Sequence, residues 1–202
     1  MLESADQSRY QIRFEWGSPG VRRLAASDVV VIVDVLSAST EVVDAVAAGG
    51  AVPLTETGLA ELAGTAHDAG AIVLLGALRN AAAVAAAVLA EQQRRGARTS
   101  VAVIAAGDAD AAGWRVAVED QFGAGAVIDA LGALGLDHTS PEAAAACESF
   151  RGLGSAVRHL LTASASGQAL LEAGAREAVL SAATLDAASA VPVLRDGVFV
   201  AA

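Results

Sequence analysis

The sequence predicts an α/β protein with three layers, α/β/α, built around a largely parallel sheet. Residues 29–35, 71–75 and 100–105 are short, almost continuous apolar runs, as expected for strands that are buried on both faces. Segments with helical spacing follow each run, and this alternation favours parallel strands joined by helices. No linker, repeat or low-complexity segment divides the chain. We therefore predict a single domain over residues 1–202.

The other predicted elements fit between and around these three strands. Strands are predicted at 10–16 and 51–54, a polar loop at 106–113, and helices at 21–24, 39–48, 57–66, 80–95 and 114–134. A helix is predicted to start at Ser140, Pro141 and Glu142. Serine is a common N-cap, proline fits the first helical position, and glutamate in the first turn interacts favourably with the positive end of the helix dipole. That helix runs to Phe150, and further helices are predicted at 157–165 and 167–173. Residues 177–182 are a strand or a helix end, and 191–200 is a hairpin-like strand pair.

The composition of the chain limits the classes of function and partner that are expected. Hydrophobic residues make up 54% and aromatic residues 3% of the chain, so Ala, Val and Leu must build the core. The formal net charge of −10 argues against nucleic acid as a partner, because non-specific binding to phosphate backbones needs basic surface. No apolar run reaches membrane-spanning length, so no membrane is expected as a partner. The single cysteine, Cys147, permits no intramolecular disulfide and fits a cytoplasmic location.

Several catalytic motifs are absent from the sequence. It contains no G-x-x-x-x-G-K-[ST], no G-x-G-x-x-G and no G-x-S-x-G, which argues against nucleotide-binding loops and an α/β-hydrolase nucleophile. The three histidines lack the spacing of metal ligands. Cys147 lies on the apolar side of a predicted helix and is expected to pack in the core.

Polar side chains cluster instead where the predicted strands end. They are Asp34, Ser37, Ser39 and Thr40 after the first run, Arg79 and Asn80 after the second, and Asp108, Asp110, Arg115, Glu119 and Asp120 after the third. The carboxyl ends of parallel strands lie at one edge of a sheet, where ligands bind in open α/β folds. Carboxylates there suit Mg²⁺, and arginine or helix N-termini suit a phosphoryl group.

The same residues also permit a purely structural interpretation. Ser39 or Thr40 fits a helix cap, Asp34 fits an ordinary strand end, and Asp and Asn are common in loops for reasons of turn geometry. Local pattern alone leaves both interpretations open.

Four sequence blocks, in order, resemble the 2-phosphosulfolactate phosphatase (ComB) family. They are V-V-I-V-D-V-L-S-A-S-T, L-L-G-A-L-R-N-A-A-A-V-A, V-A-V-I-A-A-G with R-V-A-V-E-D-Q-F-G-A-G-A-V-I, and A-S-G-Q-A-L-L-E-A-G with A-V-P-V-L-R-D-G. The resemblance implies a Mg²⁺-dependent hydrolase that acts on a small anionic phosphate ester. It implies Asp34, Glu119 and Asp120 as catalytic residues and metal ligands. It implies Ser37, Ser39, Thr40, Asn80 and Arg115 as substrate-binding residues.

Two alternatives remain beside this phosphatase hypothesis. The chain resembles a shortened family member, because family members carry a longer segment with an Asn-Gly loop where residues 54–71 supply only a short helix. A non-catalytic relative that binds a small anion or a partner protein is therefore the second hypothesis. The third is a structural homo-oligomer, for instance a homodimer, since the Ala- and Gly-rich segments 80–89 and 123–134 could pack closely across an interface.

Overall fold

The computed structural model describes residues 3–110 and 113–202, and a mixed sheet forms its centre. The strands are β1 (Ile12–Trp16), β2 (Val29–Val33), β3 (Val52–Pro53), β4 (Ile72–Gly76), β5 (Val101–Ala105), β6 (Asp108–Asp110), β7 (Gly113–Arg115), β8 (Pro192–Arg195) and β9 (Val198–Ala201). Seven of these described strands form one sheet in the order β1-β5-β2-β4-β8-β9-β3. The neighbours β1, β5, β2 and β4 are parallel, and β8, β9 and β3 extend the sheet with antiparallel pairs.

Helices cover both faces of this sheet. They are α1 (Gly17–Arg23), α2 (Ala38–Ala47), α3 (Ala60–Asp68), α4 (Ala81–Arg95), α5 (Val118–Ala133), α6 (Pro141–Leu153), α7 (Val157–Ala163), α8 (Ala165–Glu172) and α9 (Arg176–Ala182). Short 3-10 helices occupy Glu3–Asp6, Leu54–Glu56, Leu78–Asn80 and Gly154–Ala156. The predicted three-layer α/β/α architecture is confirmed.

Strand β2 separates the two halves of the core. Val29, Val31 and Val33 face one side and pack with α4, α5 and α6, whereas Val30 and Ile32 face the other side with α1, α2 and α3. All five residues of β2 are buried, which is why the sequence of this strand is an uninterrupted apolar run. The layers therefore follow from the alternation of side chains along a strand.

The chain reverses its direction of travel along the sheet after β4. After β2 it passes over one face to β4, and after β4 it crosses the other face through α4 to reach β5, on the opposite side of β2. Such a switch point opens a crevice between β2 and β5, at the carboxyl ends of these two strands. Asp34 follows β2 and Gly107 follows β5, so both loops border that crevice.

Two predictions about local structure are corrected. Residues 108–110 and 113–115 pair as the antiparallel strands β6 and β7, and the helix predicted from residue 114 begins only at Val118. The predicted loop at 106–113 includes residues 111–112, which lie outside the described residues. Residues 177–182, predicted as a strand or a helix end, belong to the helix α9, so the helix alternative is confirmed. The predicted terminal hairpin is confirmed as β8 and β9, whose turn places Asp196 and Gly197 at positive φ, as tight hairpins require.

The glycine-rich helix α5 is used for packing inside the chain. It contacts α4 and α6, and its residues 122–128 are buried. Much of the segment 123–134, which was predicted to pack across a subunit interface, is therefore already covered by other helices of the described chain. The homodimer stays a prediction. None of the helices in the described part combines the length and hydropathy that a membrane crossing requires.

Candidate active site

A pocket of about 310 Å³ lies at the switch point, outside the carboxyl ends of β2 and β5. Its walls come from the loops after these strands and from α5 and α8. The polar residues that line it are Asp34, Ser37, Asp108, Glu119, Asp120 and Ser166. The sheet thus brings together the three carboxylates predicted from the sequence, although Asp34 is far from Glu119 and Asp120 along the chain.

Asp34 is held at the junction between β2 and α2. Its backbone N–H donates to the Ser39 hydroxyl at 3.0 Å, and its carboxylate Oδ2 accepts from the N–H of Ala38 at 3.2 Å. Asp34 therefore occupies one carboxylate oxygen with the first turn of its own helix, where free N–H groups need acceptors. This contact fixes the side chain at the pocket wall.

Asp120 joins the two loops that border the pocket. Its Oδ1 accepts from the N–H of Val35 at 2.7 Å, and its Oδ2 accepts from the N–H of Gly107 at 3.0 Å. Val35 follows β2 and Gly107 follows β5, so one buried carboxylate sets the spacing between the ends of these strands. We therefore describe Asp120 as a positioning residue of the site.

Glu119 is the least satisfied polar residue of the pocket. Only 2% of it is exposed, and its Oε2 has no hydrogen-bond partner among the described residues. A buried carboxylate oxygen without a partner is costly, because water no longer solvates its charge. A cation or a ligand hydroxyl in the pocket would supply the missing partner.

The pKa values of the site reflect this crowding of acidic groups. The pKa of Asp34 is raised to about 6, chiefly by burial and also by the charges of Asp108 and Glu119, although the hydrogen bond from the N–H of Ala38 lowers it. Burial and then the charge of Asp34 also raise the pKa of Asp120 well above its usual range. Both shifts show that the pocket disfavours negative charge unless positive charge enters it.

The predicted phosphate-binding residues separate into two groups. Ser37 lines the pocket. Ser39 and Thr40 are buried and donate to the carbonyls of β2 and its following loop, at Ile32 and Val35.

Asn80 is fully buried, and its amide is engaged within the fold. Its Oδ1 accepts from the N–H of Ala77 at 2.8 Å, and its Nδ2 donates to the carbonyls of Leu75 and Ala190. The neighbouring Arg79 points to Asp44 and Ser181. The described contacts of the second junction therefore organise the sheet edge and do not bring Asn80 to the pocket wall.

Arg115 reaches the site through Asp108, which belongs to the predicted strand-end cluster, and through Ser166, which sequence analysis did not select as a site residue. Its guanidinium donates to Asp108 and, at 2.8 Å, to the hydroxyl of Ser166. Ser166 also donates to Asp108, so the three side chains form one network beside the pocket. The A-S-G-Q block contained Ser166, and the strand-end cluster contained Asp108, but only the fold shows that the two meet.

The carboxylate oxygens of the pocket are suitable ligands for a divalent cation. The described residues hold no group of three or more His, Cys, Asp or Glu side chains that is ready to ligate a metal. Mg²⁺, however, is commonly held by one or two carboxylates, with water and substrate oxygens completing its shell. The unpartnered Oε2 of Glu119 and the neighbouring carboxylate of Asp34 are donors of this kind.

The fold and the pocket define an α/β protein with an acidic pocket at the switch point of its sheet. A family model described as 2-phosphosulpholactate phosphatase matches residues 51–197 of the 202. The chain belongs to this family, as the sequence resemblance predicted. The matched segment includes Glu119 and Asp120, whereas Asp34 precedes it. Among curated proteins, none matches the chain. The family membership supports a phosphatase of the 2-phosphosulfolactate kind.

Proposed function

We propose that the protein is a Mg²⁺-dependent phosphatase that hydrolyses 2-phosphosulfolactate, or a similar small anionic phosphate ester, to the alcohol and phosphate. The observation that carries this proposal is the meeting of Asp34 and Glu119 in one pocket, with an unpartnered oxygen on Glu119. Family membership supports the reaction type. The position of the pocket at the switch point of the sheet supports a ligand site.

A cation would reconcile the acidic pocket with an anionic substrate. Asp34, Asp108, Glu119 and Asp120 all line the pocket, and an ester phosphate would be repelled by their combined charge. Asp34 and Glu119 are the residues that we expect to hold Mg²⁺. The bound ion would offset charge that develops on the phosphoryl oxygens and would acidify water.

The remaining residues of the site have roles that follow from their contacts. Asp120 keeps the loops after β2 and β5 at a fixed spacing through its two backbone hydrogen bonds. Ser37 lines the pocket, and we expect its hydroxyl, which lies beside the Asp34 carboxylate, to donate to a phosphate oxygen when the substrate is bound. A carboxylate oxygen of Asp34 or Glu119 that is not bound to the ion is available to accept a proton from the attacking water.

The proposal is tested by phosphate release from 2-phosphosulfolactate and a panel of small phosphate esters, with and without Mg²⁺. We expect turnover that requires Mg²⁺ and that Asp34→Ala and Glu119→Gln reduce by a factor of roughly 100 or more, as expected for lost catalytic groups. Glu41→Gln is the matched control, because Glu41 is an exposed glutamate of α2 that does not line the pocket. Equal turnover in wild type and Asp34→Ala would refute the proposal.

A second measurement detects the ion without turnover. Mg²⁺ at about one hundred times its dissociation constant should stabilise the fold by about 3 kcal/mol, which corresponds to an increase of roughly 5–10 °C in Tm. We expect Glu119→Gln to remove this increase and Glu41→Gln to retain it. An unchanged increase in Glu119→Gln would assign the ion to another place.

The non-catalytic relative remains a second candidate function, and one observation favours it. The polar groups of Ser39, Thr40 and Asn80 form hydrogen bonds within the chain. Arg115 is bound to Asp108. Fewer groups are therefore free to hold a phosphate than the sequence predicted. A folded protein that releases phosphate from no ester but binds inorganic phosphate with Mg²⁺ would support this candidate.

Two wider expectations accompany the proposal. A cytoplasmic location is consistent with the single cysteine, and cell fractionation would test it. A homodimer is expected from the small-residue helices, and light scattering that shows only monomer would reject it.

A further inference from the structure

A second, wider cavity of about 790 Å³ adjoins the acidic pocket. The two cavities share a wall that is formed by the loops after β2 and β5, at Asp34, Ser37, Gly107 and Asp108. A ligand that is held at the carboxylates can therefore extend into the wider cavity. The volume of this cavity lies within the range of small-molecule binding sites, roughly 300–1,000 Å³, so it has room for the part of the substrate beyond the phosphate.

The organic part of the proposed substrate is itself charged. As its name states, 2-phosphosulfolactate carries a sulfonate and a carboxylate in addition to its phosphate. Acidic side chains outnumber basic ones in the described lining of the two cavities, so these further anionic groups need a positive charge beside them. Mg²⁺ at Asp34 and Glu119 would serve the phosphate. A basic side chain must serve at least one of the other groups.

The basic side chains in the described lining of these cavities are Arg22 and Arg23. They belong to the last turn of α1, which begins directly after the carboxyl end of β1. Helical side chains lean toward the N-terminus of their helix, so these arginines point back toward this edge of the sheet, and Arg23 reaches Glu15 in β1. Both arginines precede the residues 51–197 that the family model matches, so the family match assigns them no role.

The two arginines differ in how firmly they are held. Arg23 pairs with Glu15 at 2.6 Å, and only 17% of the Glu15 side chain is exposed. Glu15 also accepts from the N–H of Trp16 at 3.1 Å. Arg22 pairs with Glu61 at 3.3 Å, and 54% and 74% of these two side chains are exposed. Water screens such an open pair, so a ligand anion can replace Glu61 at small cost.

Arg22 also has the donors that an anionic ligand needs. Among the described residues it donates one N–H group to Glu61, and a guanidinium carries several further N–H donors in a planar fork that matches a carboxylate or a sulfonate. Of the other acidic groups in this cavity, Asp108 accepts from Arg115, and Asp34 is expected to bind Mg²⁺. Glu61 is therefore the main competitor of a ligand anion for Arg22.

We propose that Arg22 is a specificity-determining residue that binds a second anionic group of the substrate, a carboxylate or a sulfonate, in the wider cavity. The inference rests on the proposed function, in which Mg²⁺ holds the phosphate at the acidic pocket. Arg23 keeps Glu15 engaged and leaves Arg22 as the arginine that exchanges its partner. The site thus selects phosphate monoesters that carry a further anionic group near the ester carbon.

Binding of two phosphonates that cannot be hydrolysed tests this inference. 3-Phosphonopropionate and propylphosphonate have the same length, but the first ends in a carboxylate and the second in a methyl group. In the presence of Mg²⁺ we expect 3-phosphonopropionate to bind about tenfold more tightly by calorimetry, because charge-assisted hydrogen bonds are added. The two tryptophans of the chain, Trp16 and Trp114, both line the wider cavity, so a change in tryptophan fluorescence places the ligand there.

Variants of Arg22 connect the preference to this residue. Arg22→Gln should lower the ratio of the two affinities to about one, and Arg22→Lys should retain part of it, because the charge stays and the planar fork is lost. Glu61→Gln should raise the ratio, since Arg22 loses its competitor. Arg94→Gln is the matched control, because Arg94 is an exposed arginine of α4 that pairs with Glu91 and lines neither cavity.

Three results would overturn the inference. They are equal affinities of the wild type for the two phosphonates, no measurable binding of 3-phosphonopropionate, and a ratio that Arg22→Gln leaves intact. Arg22 and Glu61 are exposed, so their variants should fold with nearly the wild-type Tm.

Hydrolysis of 2-phosphoglycerate and glycerol 2-phosphate separates the two proposals, because these esters differ in a carboxylate and a hydroxymethyl group. A lower KM for 2-phosphoglycerate that Arg22→Gln removes, with the change in KM and not in kcat, would support both. Turnover of both esters with equal KM, or with a difference that does not depend on Arg22, would keep the phosphatase and overturn the role of Arg22. An Arg22-dependent preference between the phosphonates, without hydrolysis of any ester, would support the role of Arg22 and reject the phosphatase.

Discussion

At the scale of single residues, the site contains polar side chains that serve the fold and polar side chains that face the pocket. Asn80 belongs to the first group, because its amide bridges the end of β4, the following turn and the segment before β8. Glu119 belongs to the second group, because one of its oxygens is buried without a partner. Sequence chemistry alone cannot separate these groups, since both consist of polar residues at strand ends.

The contacts of Asn80 predict a loss of stability on substitution. Asn80→Ala would leave the N–H of Ala77 and the carbonyls of Leu75 and Ala190 without their partner inside the fold. We expect the free energy of unfolding to fall by about 3 kcal/mol, measured by urea denaturation. Gln93→Ala, at an exposed amide on the helix α4 that follows Asn80, should change it by less than about 0.5 kcal/mol. An Asn80→Ala protein of unchanged stability would show that the amide does not serve the fold.

At the scale of elements, glycine allows α5 to approach α6 closely. A Cβ at Gly125 would lie 2.3 Å from the carbonyl oxygen of Ala146 and 2.7 Å from the Cβ of Phe150. A backbone carbonyl cannot move away as a flexible side chain can. The position of α5, and with it of Glu119 and Asp120 in its first turn, therefore depends on this contact.

Two glycines of α5 give a matched pair of variants. Gly125→Ala should lower the free energy of unfolding by about 3 kcal/mol, because the added methyl group overlaps α6. Gly132→Ala should leave it unchanged or raise it by about 0.5 kcal/mol, since nothing lies within 4 Å of a Cβ there and alanine favours a helix. Thermal or urea denaturation measures both, and equal effects would contradict the close packing at Gly125.

The amino-terminal side of β2 is tied to β5 by a carboxylate. Asp28 accepts from the N–H and the hydroxyl of Ser100 at 2.7 and 2.8 Å and pairs with Arg95 at 2.6 Å. Burial opposes ionisation of Asp28, but the Ser100 hydrogen bonds and Arg95 outweigh it, so the pKa of Asp28 lies below its ordinary value. The ionised carboxylate thus stabilises the folded state.

The lowered pKa of Asp28 predicts a pH dependence of stability. Its contribution is fully present above the pKa of the unfolded chain, about 4, and is lost as the pH falls through the lower pKa of the folded state. Asp28→Asn should therefore be less stable than wild type at neutral pH, and this difference should shrink below about pH 4. Urea denaturation across this pH range measures it, with the exposed Asp68→Asn as control. A difference that is constant with pH would contradict the assignment.

At the scale of the whole molecule, the net charge of −10 has the same electrostatic effect on ligands as the acidic pocket. Both attract cations, and both repel an anionic ester until a cation is bound. The long-range part of this attraction is screened by salt, because the Debye length falls to about 8 Å at physiological ionic strength. The charge of the molecule should therefore appear in the salt dependence of Mg²⁺ binding.

We expect the affinity for Mg²⁺, measured by calorimetry, to fall several-fold between low and high salt. The heat that Mg²⁺ produces should be absent in Glu119→Gln at both salt concentrations, which separates the site from diffuse binding to the acidic surface. An affinity that does not change with salt would show that only the nearest carboxylates determine binding.

The accuracy of sequence analysis differed with the burial of each element. The central strands were predicted within one or two residues, because strands covered on both faces must be continuously apolar. The hairpin of β8 and β9 was predicted from its turn. The strands β6 and β7 were missed, because their short polar segments carry no periodicity that distinguishes them from a loop.

The amino-acid sequence is enough to predict the layered α/β fold, the family and the edge of the sheet at which polar residues gather. These follow from local patterns: apolar runs, helix caps and short ordered blocks. The three-dimensional packing is needed to see which polar residues face the pocket, that Asp120 joins two loops, and that Ser166 and Trp114 border the site. Contacts between segments far apart in the chain depend on strand order and helix packing, which no local pattern contains.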